Sequence, residues 1–188
     1  MDIVFVRHGV PDFTLADERQ MTQLEKDYAP LCREHLPVLQ EKLNHPVFND
    51  AEIIISSPYT RTLQTAEILN RHRGLPLFVE HDLREWRADK EGGYITLNER
   101  DRRWHEYREL LKAGIPMTDT RYEHVDELKA RAELVLARYR QYRKVVVVSH
   151  FNVFEALQGF QDVGLSCGEF RYIRCLLYTS PSPRDSSK

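Results

Sequence analysis

The chain has little cysteine, no long apolar run and no excess of either charge. Its three cysteines, Cys32, Cys167 and Cys175, are odd in number, far apart and without a CxxC pair. They read as free thiols in a reducing cytosol, so a cytoplasmic location is expected. No apolar stretch approaches the roughly 18 residues that a membrane span needs. Met1-Asp2 carries no basic region ahead of its apolar stretch, so no secretory signal is expected. The 27 basic and 29 acidic residues leave a net charge of -2. That lacks the basic excess of a nucleic-acid protein and the basic face of a membrane-surface helix. Repeats and interdomain linkers are also missing.

What is present fits one folded domain. The 188 residues are 41% hydrophobic and 30% charged, which excludes collagen, coiled coil and disorder for the whole chain. A chain this long buries roughly 70% of its unfolded surface, so its core needs no disulfide or metal. The last residues, 175–188, form a separate case. Cys-Leu-Leu-Tyr-Thr-Ser-Pro-Ser-Pro-Arg-Asp resembles the translation of a sequencing-library adapter. The segment is set aside as adapter read-through or a disordered Ser/Pro tail. The expected domain is 1–174.

Four apolar runs without polar alternation read as buried strands: Ile3–Val6, Ile53–Ile55, Leu77–Val79 and Val145–Val148. Phe170–Ile173 is a candidate last strand. Helical spacing marks 60–71, 125–142 and the start at Phe151, with a shorter patch around Trp104, Tyr107 and Leu111. From Leu24 to Leu43 the spacing is helical, but Pro30 and Pro37 predict a kinked or two-part helix. Residues 12–22 read as a loop. Strands alternating with helices predict an α/β three-layer sandwich around a mostly parallel sheet. Its ligand crevice should lie beyond the carboxyl ends of the strands.

Those ends carry related chemistry. The first strand runs into Arg7-His8-Gly9. The second runs through Ser56-Ser57-Pro58-Tyr59-Thr60 to Arg61 at a helix start. The fourth ends in Ser149-His150. Alone, each signal is weak: a histidine after a strand is usually a structural residue, and Arg61 alone reads as a solvated helix residue. Together they bring two guanidinium forks and two imidazoles to one end of a sheet, a donor set that fits a phosphoryl group. The helix start would add its dipole. Gly9 would leave room for close substrate approach. Histidines 35, 45, 72, 81, 105 and 124 show no ligand spacing. They are expected at the surface, with no metal site and no cofactor.

The chain resembles the histidine phosphatase superfamily, also called phosphoglycerate mutase-like, in the form of its small bacterial members. The matching pieces are Val6-Arg7-His8-Gly9, Ser56 to Arg61 followed by Gln64-Thr65-Ala66-Glu67, Leu83-Arg84-Glu85, and Val146 to His150 with a helix reaching Ala156-Leu157-Gln158-Gly159. They span most of residues 3–160. The resemblance implies a phosphoglycerate mutase-like fold with Phe170–Arg174 as an edge strand. It implies that His8 takes the phosphoryl group as phosphohistidine. Arg7, Arg61 and His150 would hold the phosphoryl oxygens, with Gly9 at the same site. Glu85 would protonate the leaving oxygen and then help activate water. No Asp follows His150, which disfavours an acid beside the second histidine.

Two positions depart from the family's pattern. Pro11 offers no backbone N–H after Gly9, and Phe151 stands where a glycine is usual. Phe151 is expected to narrow the pocket or stack on substrate. The expected activity is a phosphomonoesterase, a phosphoric monoester hydrolase, acting on a small phosphorylated substrate. The alternatives are mutase-type transfer and a phosphoryl-binding protein that has lost turnover. Mutases of the family are typically longer, and the one insertion here, 86–123, is read as a substrate cap. Its aromatic and basic residues recognise a ring or second anion, or else form a solvated helix with core anchors. Arg84 and Arg87 are the expected substrate contacts. Oligomeric state is not legible.

Overall fold

The computed structural model describes residues 1–174, so the reading of 175–188 lies outside the described residues. Five strands form one sheet. They are β1 (Asp2–Arg7), β2 (Ile53–Ser56), β3 (Leu77–Val79), β4 (Lys144–Ser149) and β5 (Phe170–Arg174), in the order β3-β2-β4-β1-β5. Pairing is parallel except at β5, which lies antiparallel on β1 from Asp2↔Arg174 to Val6↔Phe170. Ile, Val and Phe fill the central strands because both faces are covered and β-branched side chains pack well on a pleat.

Alternation along the strands divides the core in two. Ile3, Phe5, Ile53, Ile55, Val145 and Val147 face one layer of helices. That layer holds α5 (Leu97–Ala113), α6 (Val125–Arg138) and α7 (Phe151–Gln158), which supply Tyr107, Leu128, Val135 and Phe154. Val4, Val6, Ile54, Val146 and Val148 face α3 (Leu36–Leu43) and α4 (Thr60–Asn70), through Leu39, Leu43, Ala66 and Leu69. This is the expected three-layer α/β sandwich, with a period of 2 in the strands meeting helical stripes on each side.

Some elements differ in extent from the expectation. The segment read as a loop holds a short helix, α1 (Thr14–Glu18). The segment Leu24–Leu43 is broken further than two parts, into α2 (Gln23–Lys26), a 3-10 turn at Arg33–His35 and α3. Between them Pro11 bridges Leu31, and Asp12 donates its N–H to the Pro30 carbonyl. Pro37 sits in the first turn of α3, where no N–H is needed. The patch around Trp104 is a 17-residue helix, α5, capped by Thr96 at its start and by left-handed Gly114 at its end. Among the described residues no helix is long and apolar enough to cross a membrane.

Candidate active site

β2, β4 and β1 are adjacent, so their carboxyl ends deliver Arg7-His8, Ser57 and Ser149-His150 to one place. His8 and His150 stack edge to face, with ring centroids 5.1 Å apart. Arg61, in the first turn of α4, reaches His8. The pocket above them is lined by Arg7, His8, Arg61 and Glu85 at the reactive end, with Asn152 beside them. Its outer wall is Phe13, Trp86, Arg100, Asp101 and Trp104, with Pro11, Lys26 and Ala88 completing a cavity of about 360 Å³.

His8 is buried and its tautomer follows from its contacts. Nδ1 lies 2.7 Å from the Gly9 carbonyl, which can only accept, so Nδ1 carries the proton. Nε2 is left with a lone pair, approached by Arg61 Nε at 3.3 Å. Burial, then the Arg61 and Arg7 charges, hold the His8 pKa well below the usual 6.5, against a smaller opposite pull from the Gly9 hydrogen bond. The ring is therefore neutral at pH 7. His150 is also held neutral, by burial first and then by Arg61 and His8. Its Nε2 lies 2.7 Å from Ser57 Oγ. A Ser57 hydroxyl donating there puts the His150 proton on Nδ1.

Three buried nitrogens at this point have no hydrogen-bond partner among the described residues: Arg7 Nε, Arg61 Nη1 and His150 Nδ1. Buried donors are nearly always satisfied in folded proteins, so three together mark a site built for an acceptor-rich ligand. Their supports are fixed. Arg7 Nη1 donates to the Leu165 carbonyl at 2.6 Å, and its guanidinium lies 5.4 Å from the Phe151 ring centroid. Arg61 packs on Tyr59 at 4.8 Å. Thr65 Oγ1 donates to the Arg61 carbonyl at 2.7 Å.

Glu85 stands at the end of an extended segment after the 3-10 turn at His81–Leu83. Its Oε1 accepts from the Trp86 N–H at 2.8 Å, and Asn152 also hydrogen-bonds its carboxyl. Burial raises its pKa above 4.5, against the opposing pull of that N–H and of Arg61 and Arg7.

Three expectations need correction. Gly9 does not open the pocket: a Cβ there would meet Leu39 Cδ2 at 2.6 Å, and its N–H donates to Thr65 Oγ1. A side chain at this position would have to displace Leu39 of α3. Phe151 does not line the pocket; its ring is sandwiched between Arg7 and Arg108. Arg84 and Arg87 line a separate cavity with His81, Lys90, Glu123 and Arg131, and Arg84 pairs with Asp82 at 2.9 Å. Within the insertion 86–123, Tyr107 and Trp86 anchor the core, while Arg100, Asp101 and Trp104 line the pocket.

Sequence reasoning missed Asn152, Thr65 and Phe13. Asn152 was open to detection, because it is the second residue of α7, which follows directly on His150 at the same end of the sheet. Cys32 and Cys167 are unpaired, and Cys175 lies outside the described residues. Five of the six other histidines are exposed, and His124 is half-buried. Among the described residues no cluster of three or more His, Cys, Asp or Glu is placed to hold a metal.

A mostly parallel sheet that brings two histidines and two arginines to one end offers donors suited to a phosphoryl group. The profile of the histidine phosphatase superfamily (branch 1) matches residues 3–180, and the chain belongs to that family of phosphatase enzymes. Solved structures agree on the fold. The α-ribazole phosphatase of Shigella flexneri is 19% identical, with a TM-score of 0.61 over 93% of this chain and 90% of that one. A mycobacterial glucosyl-3-phosphoglycerate phosphatase is also 19% identical, with a TM-score of 0.67 over 91% of each chain. Bacillus stearothermophilus YhfR is 21% identical, with a TM-score of 0.64 over 84% of this chain and 77% of that one. Comparison with curated proteins gives no match.

Proposed function

We propose that the protein is a phosphomonoesterase that hydrolyses a small phosphorylated substrate through a phosphohistidine on His8. The observation that carries the reading is the fixed tautomer of His8 beside three unpartnered buried donors. In the first half-reaction the Nε2 lone pair forms the N–P bond as the ester P–O bond breaks. The Glu85 carboxyl gives its proton to the leaving oxygen, because an alkoxide leaves poorly. Arg7, Arg61 and the His150 N–H stabilise the charge on the phosphoryl oxygens, the kind of preorganised set whose single members are worth roughly 100- to 1000-fold in rate. Arg61 exchanges its long contact to Nε2 for a phosphoryl oxygen. In the second half-reaction the Glu85 carboxylate takes a proton from water. The new P–O bond forms, the N–P electrons return to Nε2, and inorganic phosphate leaves.

The residues of the cap segment at the pocket wall support a small organic substrate, as do the substrates in the names of the two phosphatases above. The mutase and lost-turnover readings have no observation of their own in their favour. Of the two departures behind the second, Phe151 packs against Arg7 outside the pocket lining, and Pro11 lines the pocket.

The test uses p-nitrophenyl phosphate at mildly acidic pH, a base quench, and assay of both free phosphate and acid-labile phosphoprotein. Turnover with a phosphoenzyme that His8→Ala abolishes is expected. Turnover that survives His8→Ala would overturn the mechanism. Dependence on a bisphosphorylated primer would assign the mutase reaction instead.

A further inference from the structure

Arg131 of α6 lies outside the catalytic pocket, yet all five of its N–H donors are spent on one purpose. Nε and Nη2 grip the Glu123 carboxylate at 2.6 and 2.9 Å. Nη1 donates to the carbonyls of Asp82 and Arg84, the latter at 2.8 Å, and Nη2 donates to that of Glu85 at 3.2 Å. Both side chains of the ion pair are about nine-tenths buried, at 10% and 7% exposure. Glu123 returns the grip. Its Oε2 accepts the Arg87 N–H at 3.2 Å, its carbonyl accepts Trp86 Nε1 at 2.7 Å, and its N–H donates to the Arg87 carbonyl at 2.9 Å. Every residue from Asp82 to Arg87 except Leu83 is thus held by one of two side chains or the backbone between 123 and 131. Ser149 Oγ holds Leu83 from β4, at 2.8 Å.

We propose that the Arg131–Glu123 pair positions the acid, holding the extended segment so that the Glu85 carboxyl meets the leaving group. This rests on the reading of Glu85 as the acid. A buried ion pair is a poor device for stability alone, since burial costs each charge its hydration. It is a good device for geometry, because a planar fork fixes direction as well as distance. Neither residue touches substrate, so both are positioning residues.

The test compares kcat/KM on two substrates. p-Nitrophenyl phosphate has a good leaving group and forms the phosphoenzyme without help from an acid; glycerol phosphate needs one. Glu85→Gln is expected to depress the glycerol phosphate value by roughly 100- to 10,000-fold, the usual range for acid catalysis, and the nitrophenyl value far less. Arg131→Lys, which cannot bridge three carbonyls and a carboxylate, and Glu123→Gln are expected to change the ratio of the two values in the same direction, by roughly tenfold or more. In the double variant Glu85→Gln/Arg131→Lys the ratio should move no further than in Glu85→Gln alone. Equal losses on both substrates, or a ratio that shifts additively in the double variant, would overturn the proposal while leaving Glu85 as the acid. A ratio unchanged by Glu85→Gln itself would instead remove the reading beneath it. If Arg131→Lys does not fold, Glu123→Gln alone decides.

Discussion

His8 and Glu85 are pushed in opposite directions by the same burial. Desolvation favours the neutral form of each, so the base loses its proton more readily and the acid keeps it longer. In the proposed reaction His8 must be neutral and Glu85 protonated. Hence kcat/KM should rise as pH climbs through the His8 pKa, which lies below 6.5, and fall as pH passes the Glu85 pKa, which lies above 4.5. The expected profile is a bell, with its acid limb from His8 and its alkaline limb from Glu85. A profile of log kcat/KM against pH for wild type and Glu85→Gln checks this. The alkaline limb should vanish in the variant, while the substrate's own second ionisation, near about 6, affects both alike. An alkaline limb that survives in Glu85→Gln would contradict the assignment. At this scale the sequence was informative where chemistry follows directly on an apolar strand. His8, Arg7 and His150 are placed by the strand ends themselves. Glu85 was found through resemblance alone, since its position depends on contacts with residues 123 and 131, far along the chain. Arg84 and Arg87 were misplaced for a related reason: a sequence does not say which side of an extended segment a side chain leaves.

α5 shows how an element can serve two masters. One face sends Tyr107 into the core, where its ring lies 5.2 Å from that of Trp86; another sends Trp104 to the pocket, where its Nε1 donates to Asn152 at 3.2 Å. The Tyr107 hydroxyl is buried and has no hydrogen-bond partner among the described residues. An unsatisfied buried hydroxyl costs roughly 1–3 kcal/mol. Tyr107→Phe removes it without changing the ring, and should raise the melting temperature by about 2–4 °C per kcal/mol recovered. Calorimetry would measure it; a fall in melting temperature would show that the hydroxyl is satisfied in solution. The helix itself was only partly legible. Its arginines and glutamates dilute the apolar stripe and pair with one another, as Arg103 and Glu99 do at 2.7 Å, which periodicity does not report. α2 and α3 were over-read for the opposite reason, because apolar spacing ran on through a stretch whose backbone is bridged to residues 11 and 12.

β5 is the edge strand of the sheet on the β1 side. β5 pairs along β1 from Asp2 to Val6, so it covers one edge of the strand that carries Arg7 and leads to His8. A chain ending at Arg174 should keep turnover within about twofold of the full chain, because it retains every described pair of β5, through Asp2↔Arg174. A chain ending at Gly168 loses β5 and should be recovered insoluble or inactive. Expression of both, with melting curves and nitrophenyl phosphate turnover, checks the boundary. Equal behaviour of the two would show that β5 is dispensable. The sandwich was legible in advance because each central strand is an unbroken apolar run; the order of the strands was not, since it is set by crossovers.

That order has a consequence during synthesis. β1 leaves the ribosome first, but both of its neighbours come from the other end of the chain, beginning at Lys144 and Phe170. At about 5–20 residues per second, His8 waits on the order of ten to thirty seconds for the strands that enclose it. Throughout that time the nascent chain holds an apolar strand without a sheet. Such long-range pairing makes the final closure slow. Arg7 and His8 are thus made long before β4 and β5, the strands that enclose them.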